Sequence, residues 1–132
     1  MDAISILQKY LEADSPLFNS VYSHSLKVAE KSLLIANKHP ELGADKRFLE
    51  EASLLHDIGV VLTNAPDIFC FGKNPYLCHG IIGRKMLEKE GLPKHALVCE
   101  RHIGTGLTVK DIIERKLPLP QRDMIPVSVE EQ

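Results

Sequence analysis

Apolar residues recur at three- and four-residue steps through most of the chain, and capping residues punctuate that rhythm, so the pattern predicts helices almost throughout. Asp2 is placed to cap a short first helix to Leu11, with Ile4, Leu7 and Leu11 on one face. Ser15-Pro16 sets a capping hydroxyl before a proline at the first helical position. The second helix should run to Lys38, where Pro40 stops it, with Val21, His24, Leu26, Val28, Leu33, Leu34 and Ile35 along it. Asp45 opens a third helix carrying Phe48, Leu49, Ala52, Leu55 and His56, and Gly59 is expected to end it in a left-handed conformation. Asn74-Pro75 starts a fourth helix to about Glu90, closed by Gly91. Leu92-Pro93 starts a fifth that reaches His102 before Gly104, and Thr108 caps a short sixth through Lys116.

Between these helices, residues 60–73 read as a loop tucked against the core, with room for a two-residue strand. Residues 117–126 hold three prolines and read as a second loop. Ser128 and Glu131 form the S-x-x-E box that begins a helix, yet only about one turn follows, too little to hold itself. A disordered end, or a chain cut from something longer, is the expectation, with truncation favoured. The 132 residues suit one domain, so the fold expected is all-α: a compact bundle of about six to seven helices over residues 1–132.

Composition narrows the partners. With 44% hydrophobic and 26% charged residues, the chain is globular rather than disordered. A net charge of −2 and no basic stripe argue against a nucleic-acid partner. No apolar run approaches the roughly 20 residues that cross a bilayer, which argues against a membrane partner. The first residues form an amphipathic stretch rather than a signal peptide. Cys70, Cys78 and Cys99 make an odd number without framework spacing, which fits a reducing, cytoplasmic setting.

Six histidines in so short a chain call for an account. His24, His56, His79 and His102 each fall on a different helix beside apolar neighbours, and His56 is followed by Asp57. One imidazole per helix is what a metal site in a bundle core requires, and a carboxylate adds charge and can bridge two ions. Buried polar groups are costly without a partner, and a cation is a partner all of them can share. His39, at a helix end before Pro40, reads as a surface residue. His95, two turns before His102, reads as a non-ligand. A rival zinc site of Cys78, His79, Cys99 and His102 leaves His24, His56 and Asp57 without a role.

The order of these residues resembles the HD-domain metal-dependent phosphohydrolases. The string Leu54-Leu55-His56-Asp57-Ile58-Gly59 is similar to the HDIG form of the motif. The segments Cys78-His79-Gly80-Ile81-Ile82-Gly83 and Arg101-His102-Ile103-Gly104-Thr105-Gly106 resemble the family's next two ligand regions. The resemblance implies two divalent metal ions, of iron, manganese or zinc. His24 and His56 would bind one, His79 and His102 the other, and Asp57 would bridge them. It further implies hydrolysis of a nucleotide or other small phosphoester by metal-activated water, with Asp57 as the catalytic carboxylate. Lys27, Arg84 and Arg101 are candidates for contact with the substrate's phosphate. The family also supplies a late aspartate, commonly in Ala-Asp; here only Asp111 and Asp123 follow His102, in unlike contexts. That departure favours the other reading, a regulatory domain that binds metal or nucleotide without turnover. Oligomeric state is not read from the pattern.

Overall fold

The computed structural model describes residues 1–132, and the caps read from the sequence start four of its six helices. Asp2 accepts from the Ile4 and Ser5 amides and opens α1, Ala3–Tyr10. Ser15 accepts from the Phe18 amide and opens α2, Pro16–Lys38. Asp45 accepts from Phe48 and opens α3, Lys46–Leu55. The fourth and fifth helices are α4, His79–Lys89, and α5, Pro93–Arg101. Thr108 and Asp111 form a reciprocal capping box that opens α6, Val109–Glu114. Each such cap stabilises its helix by about 1 kcal/mol.

α2 packs on α3, and α4 packs on α5 and on the tight turn Ile58–Leu62. The core between them is built on Leu7, Leu11, Leu55, Ile58, Leu87 and Cys99, all fully buried. Each such leucine or isoleucine contributes about 1.5–3 kcal/mol of burial energy. A smaller cluster of Leu107, Ile112 and Met124 ties α6 to the C-terminal loop, where Leu107 and Met124 exchange backbone hydrogen bonds.

Several sequence expectations are redrawn. The buried line of α2 is Phe18, Val21, Ser25, Ala29 and Ala36, whereas Leu26, Leu34 and Ile35 are exposed. Beyond Val21 this buried line is made of small residues, Ser25, Ala29 and Ala36. Gly59 does not end α3 in a left-handed conformation. The helix gives way at His56 to the turn Ile58–Leu62, and Gly59 lies buried within that turn. Its Cα meets α4 so closely that a Cβ would lie 2.0 Å from the His79 carbonyl oxygen. The Asn74-Pro75 signal opens first a short 3-10 turn, Tyr76–Cys78, so α4 begins at His79 itself. α6 stops at Glu114, short of Lys116.

The 60–73 stretch holds two two-residue strands, β1 (Asn64–Ala65) and β2 (Cys70–Phe71), paired antiparallel. Only Val60, Thr63 and Cys70 bury fully there, while Phe69 and Phe71 face solvent. At the far end the Ser128 hydroxyl accepts from the Glu131 amide as the box predicts. That turn is held from outside: Arg101 pairs with Glu131 at 2.6 Å, and Glu130 accepts from the Asp45 amide at 2.8 Å. No helix is long and apolar enough to cross a membrane.

Candidate metal centre

Four imidazoles converge on one carboxylate. Asp57 Oδ2 lies 3.3 Å from His24 Nε2 and 3.1 Å from His56 Nε2. Its other oxygen, Oδ1, lies 3.4 Å from His79 Nε2 and 3.1 Å from His102 Nε2. The donors therefore fall into two triads, His24-His56-Asp57 and Asp57-His79-His102, with Asp57 common to both. The helix ends bring this about. His56 follows the last residue of α3, His79 is the first of α4, and His102 follows the last of α5. His24 comes from the body of α2 and is the exposed member, its side chain 57% accessible against 10% or less for His56 and His79.

The three inner rings are oriented by the backbone. His56 Nδ1 donates to the Ser53 carbonyl at 2.6 Å, His79 Nδ1 to Tyr76 at 2.6 Å, and His102 Nδ1 to Cys99 at 2.7 Å. A carbonyl oxygen can only accept, so each Nδ1 carries the proton and each neutral ring turns a bare Nε2 inward. Such a second partner is the usual support of a metal-bound histidine. Its consequence here is that lone pairs face lone pairs: His79 Nε2 and His102 Nε2 stand 3.0 Å apart, both beside the carboxylate. The arrangement needs positive charge between these atoms, from protons or from a metal ion. The donor set, imidazole nitrogens with a shared carboxylate, fits divalent cations such as iron, manganese or zinc.

Protons alone meet opposing demands. If the inner Nε2 atoms carry protons as well, burial still favours the neutral carboxyl of Asp57, but hydrogen bonds from His102, His56 and His79 outweigh it and hold the group far below the usual carboxylate range. Burial likewise disfavours a charged His56, and Asp57 more than offsets that, so His56 is raised. In that state Asp57 is held ionised and the charged form of His56 is favoured.

The other candidates fall elsewhere. Arg84 pairs with Glu88 at 2.8 Å and with buried Glu100 at 2.5 Å, and Arg101 pairs with Glu131. Neither of these, nor Lys27, lines the two hollows that open on Asp57. The late aspartates are engaged as well: Asp111 in the α6 capping box, Asp123 accepting from the Val109 amide at 2.8 Å. The cysteine-zinc alternative is overturned. Cys99 is fully buried, its thiol directed at the Leu55 carbonyl and pushed well up by burial, and Cys78 reaches the Pro118 carbonyl. His39 stands by Glu41 on the surface, and His95 packs edge-on to Phe48 at 4.7 Å, away from the ligands.

Tyr76 is the site residue that periodicity does not find as such. Its carbonyl orients His79, and its ring lies 4.5 Å from the His79 ring, centroid to centroid. With aromatic residues at only 5% of the chain, Phe71 and Tyr76 are the residues on which a base could stack; Tyr76 lines the hollows at Asp57, and Phe71 faces solvent away from them.

The chain is 34% identical over 116 residues to an uncharacterized protein of Methanocaldococcus jannaschii, covering 86% of this chain and 61% of that protein. It is also 34% identical over 89 residues to a tRNA (cytidine(56)-2'-O)-methyltransferase of Picrophilus torridus, covering 67% of this chain and 22% of that one. The chain thus spans about three fifths and about a fifth of these relatives. No solved structure matches it. The family model for the HD domain matches residues 21–128, the stretch that carries all five candidate donors, and the chain belongs to the HD-domain family of metal-dependent hydrolases.

Proposed function

We propose that the chain is a phosphohydrolase that holds two divalent cations and acts on a nucleotide or another small phosphoester. The observation that carries this reading is the division of the Asp57 carboxylate, one oxygen toward each histidine pair. When bound, a pair of divalent cations supplies Lewis acidity that activates water and neutralises charge on the phosphoryl oxygens. The chain's own part is to hold the donors in place. Asp57 stays ionised beside the reacting centre. The Ser53, Tyr76 and Cys99 carbonyls keep the inner imidazoles in the tautomer that presents Nε2. Asp57 is largely buried, its side chain 14% accessible, which strengthens each electrostatic contact it makes.

The test is metal content and phosphate release measured on the same preparations. The unaltered chain is expected to hold close to two equivalents and to release phosphate from a generic phosphoester. His79→Ala/His102→Ala should hold about one, and Asp57→Asn should lose both cations and all turnover. No metal after anaerobic supply of iron and manganese would overturn the reading. A second reading, binding without turnover, is favoured by one observation: Asp111 and Asp123 are engaged elsewhere, so the His24-His56 triad receives no further carboxylate from them. Two equivalents of metal with no phosphate release would establish it.

A further inference from the structure

Two hollows open on Asp57, of about 270 and 350 Å3, and they share His24, Asp57 and Tyr76. Their linings contain no lysine or arginine. The smaller is walled by Val21, Val60, Ile68 and Tyr76, with Ser20 as its hydroxyl, one turn before His24 on α2. Tyr76 is half-exposed, stacked obliquely on His79, and stands where the two hollows meet.

On the hydrolase reading above, we infer that the site takes esters of a single phosphate whose alcohol portion carries a flat ring, and that Tyr76 selects that ring. Charge sets the first half of the inference. Every additional phosphate brings negative charge that must be met at close range, ordinarily by arginine or lysine. Around Asp57 only the cations at the ligand cluster meet it. Arg115 lines the adjoining hollow, beyond Leu77, Ile103 and Gly104, and there it shares the lining with Asp111. A single phosphate is the group this site can neutralise.

Shape and surface set the second half. At about 270 Å3 the apolar hollow falls below the roughly 300–1,000 Å3 of drug-sized ligand sites, so it suits one ring system rather than two. Three aliphatic walls and one aromatic ring favour an unsaturated flat group, because stacking on an aromatic face adds to plain burial. The ribose or another polar linker would meet Ser20. A nucleoside monophosphate has this make-up, and glycerol phosphate lacks the ring.

The experiment is calorimetric binding of adenosine 5′-monophosphate, glycerol phosphate and adenosine triphosphate to the Mn2+-loaded chain, with phosphate release recorded beside it. Where turnover occurs, the split between KM and kcat gives the same comparison. Adenosine monophosphate should bind about tenfold more tightly than glycerol phosphate, and the triphosphate no more tightly than the monophosphate. Tyr76→Leu should erase the advantage of the ring over glycerol phosphate, and Tyr76→Phe should keep it. Equal binding of the two monoesters, or no binding of either, overturns the inference. So does an equal loss for both in Tyr76→Leu, or tighter triphosphate binding that Arg115→Ala removes. Ring-selective binding without phosphate release would retain this inference and sink hydrolysis; phosphate release without ring preference would do the reverse.

Discussion

Replacing Gly59 by alanine adds one methyl group, and the structure gives that methyl nowhere to go. A Cβ at this position would lie 2.0 Å from the His79 carbonyl oxygen and 2.5 Å from the Gly83 nitrogen, where ordinary contact begins near 3.4 Å. Both obstacles are backbone of α4, so no side-chain rotation relieves them. The helix would have to retreat by more than an ångström from the turn Ile58–Leu62 and carry His79, its first residue, with it. Overpacking against movable side chains costs about 1–3 kcal/mol, and a backbone obstacle places this substitution at the top of that range or above, about 3 kcal/mol. For a domain of this size that lowers Tm by about 10 °C. The assay is thermal unfolding followed by circular dichroism, together with metal content per chain. Gly59→Ala should also lose the cation of the Asp57-His79-His102 triad. Gly83→Ala, whose Cβ meets the Cys99 Cβ and Sγ at 3.2 Å, should cost less. The two roles for Gly59 separate cleanly. A left-handed cap would cost about 1 kcal/mol on substitution and leave metal content intact. That outcome, or a variant within about 0.5 kcal/mol of the unaltered chain, would refute the close-approach argument.

Chelation should destabilise the loaded chain, since a ligand present at a hundred times its Kd stabilises the fold by about 2.7 kcal/mol; an unchanged Tm with EDTA would argue against bound metal. Glu100 is buried between Arg84 and Arg122 and ties the C-terminal loop to α5. Because both arginines are partly exposed, Glu100→Gln should cost about 2 kcal/mol rather than the 3–5 kcal/mol of a fully buried pair, read from urea unfolding. His95 is lowered, chiefly by burial and against the opposing charge of Glu51. It is therefore held neutral, and below its ordinary value of 6.5 the unfolded chain binds the extra proton. Its contribution is complete above that pH and is lost as pH falls below it, so the stability gap between the unaltered chain and His95→Gln should shrink from pH 7.5 to 5.5. A gap that widens toward acid would contradict the assignment.

Helix starts were legible because caps are local. Asp2, Ser15, Asp45 and Thr108 satisfy amides two or three residues away, and nothing distant can alter that requirement. The convergence of candidate donors was legible for a different reason: His24, His56-Asp57, His79 and His102 stand in an order that resembles a known family. Tertiary structure decided what depends on distances between segments remote in the sequence. Periodicity could not tell that α2 buries alanines and leaves Leu34 and Ile35 outside, since that depends on how near α3 comes. Nor could it tell that Gly59 is needed for an approach to α4 rather than for a turn, that Arg84 and Arg101 face carboxylates of their own chain, or that Asp57 divides its two oxygens between two histidine pairs. Spacing along a chain carries the period of a helix, but the packing of helix against helix is set by the side chains of both partners at once.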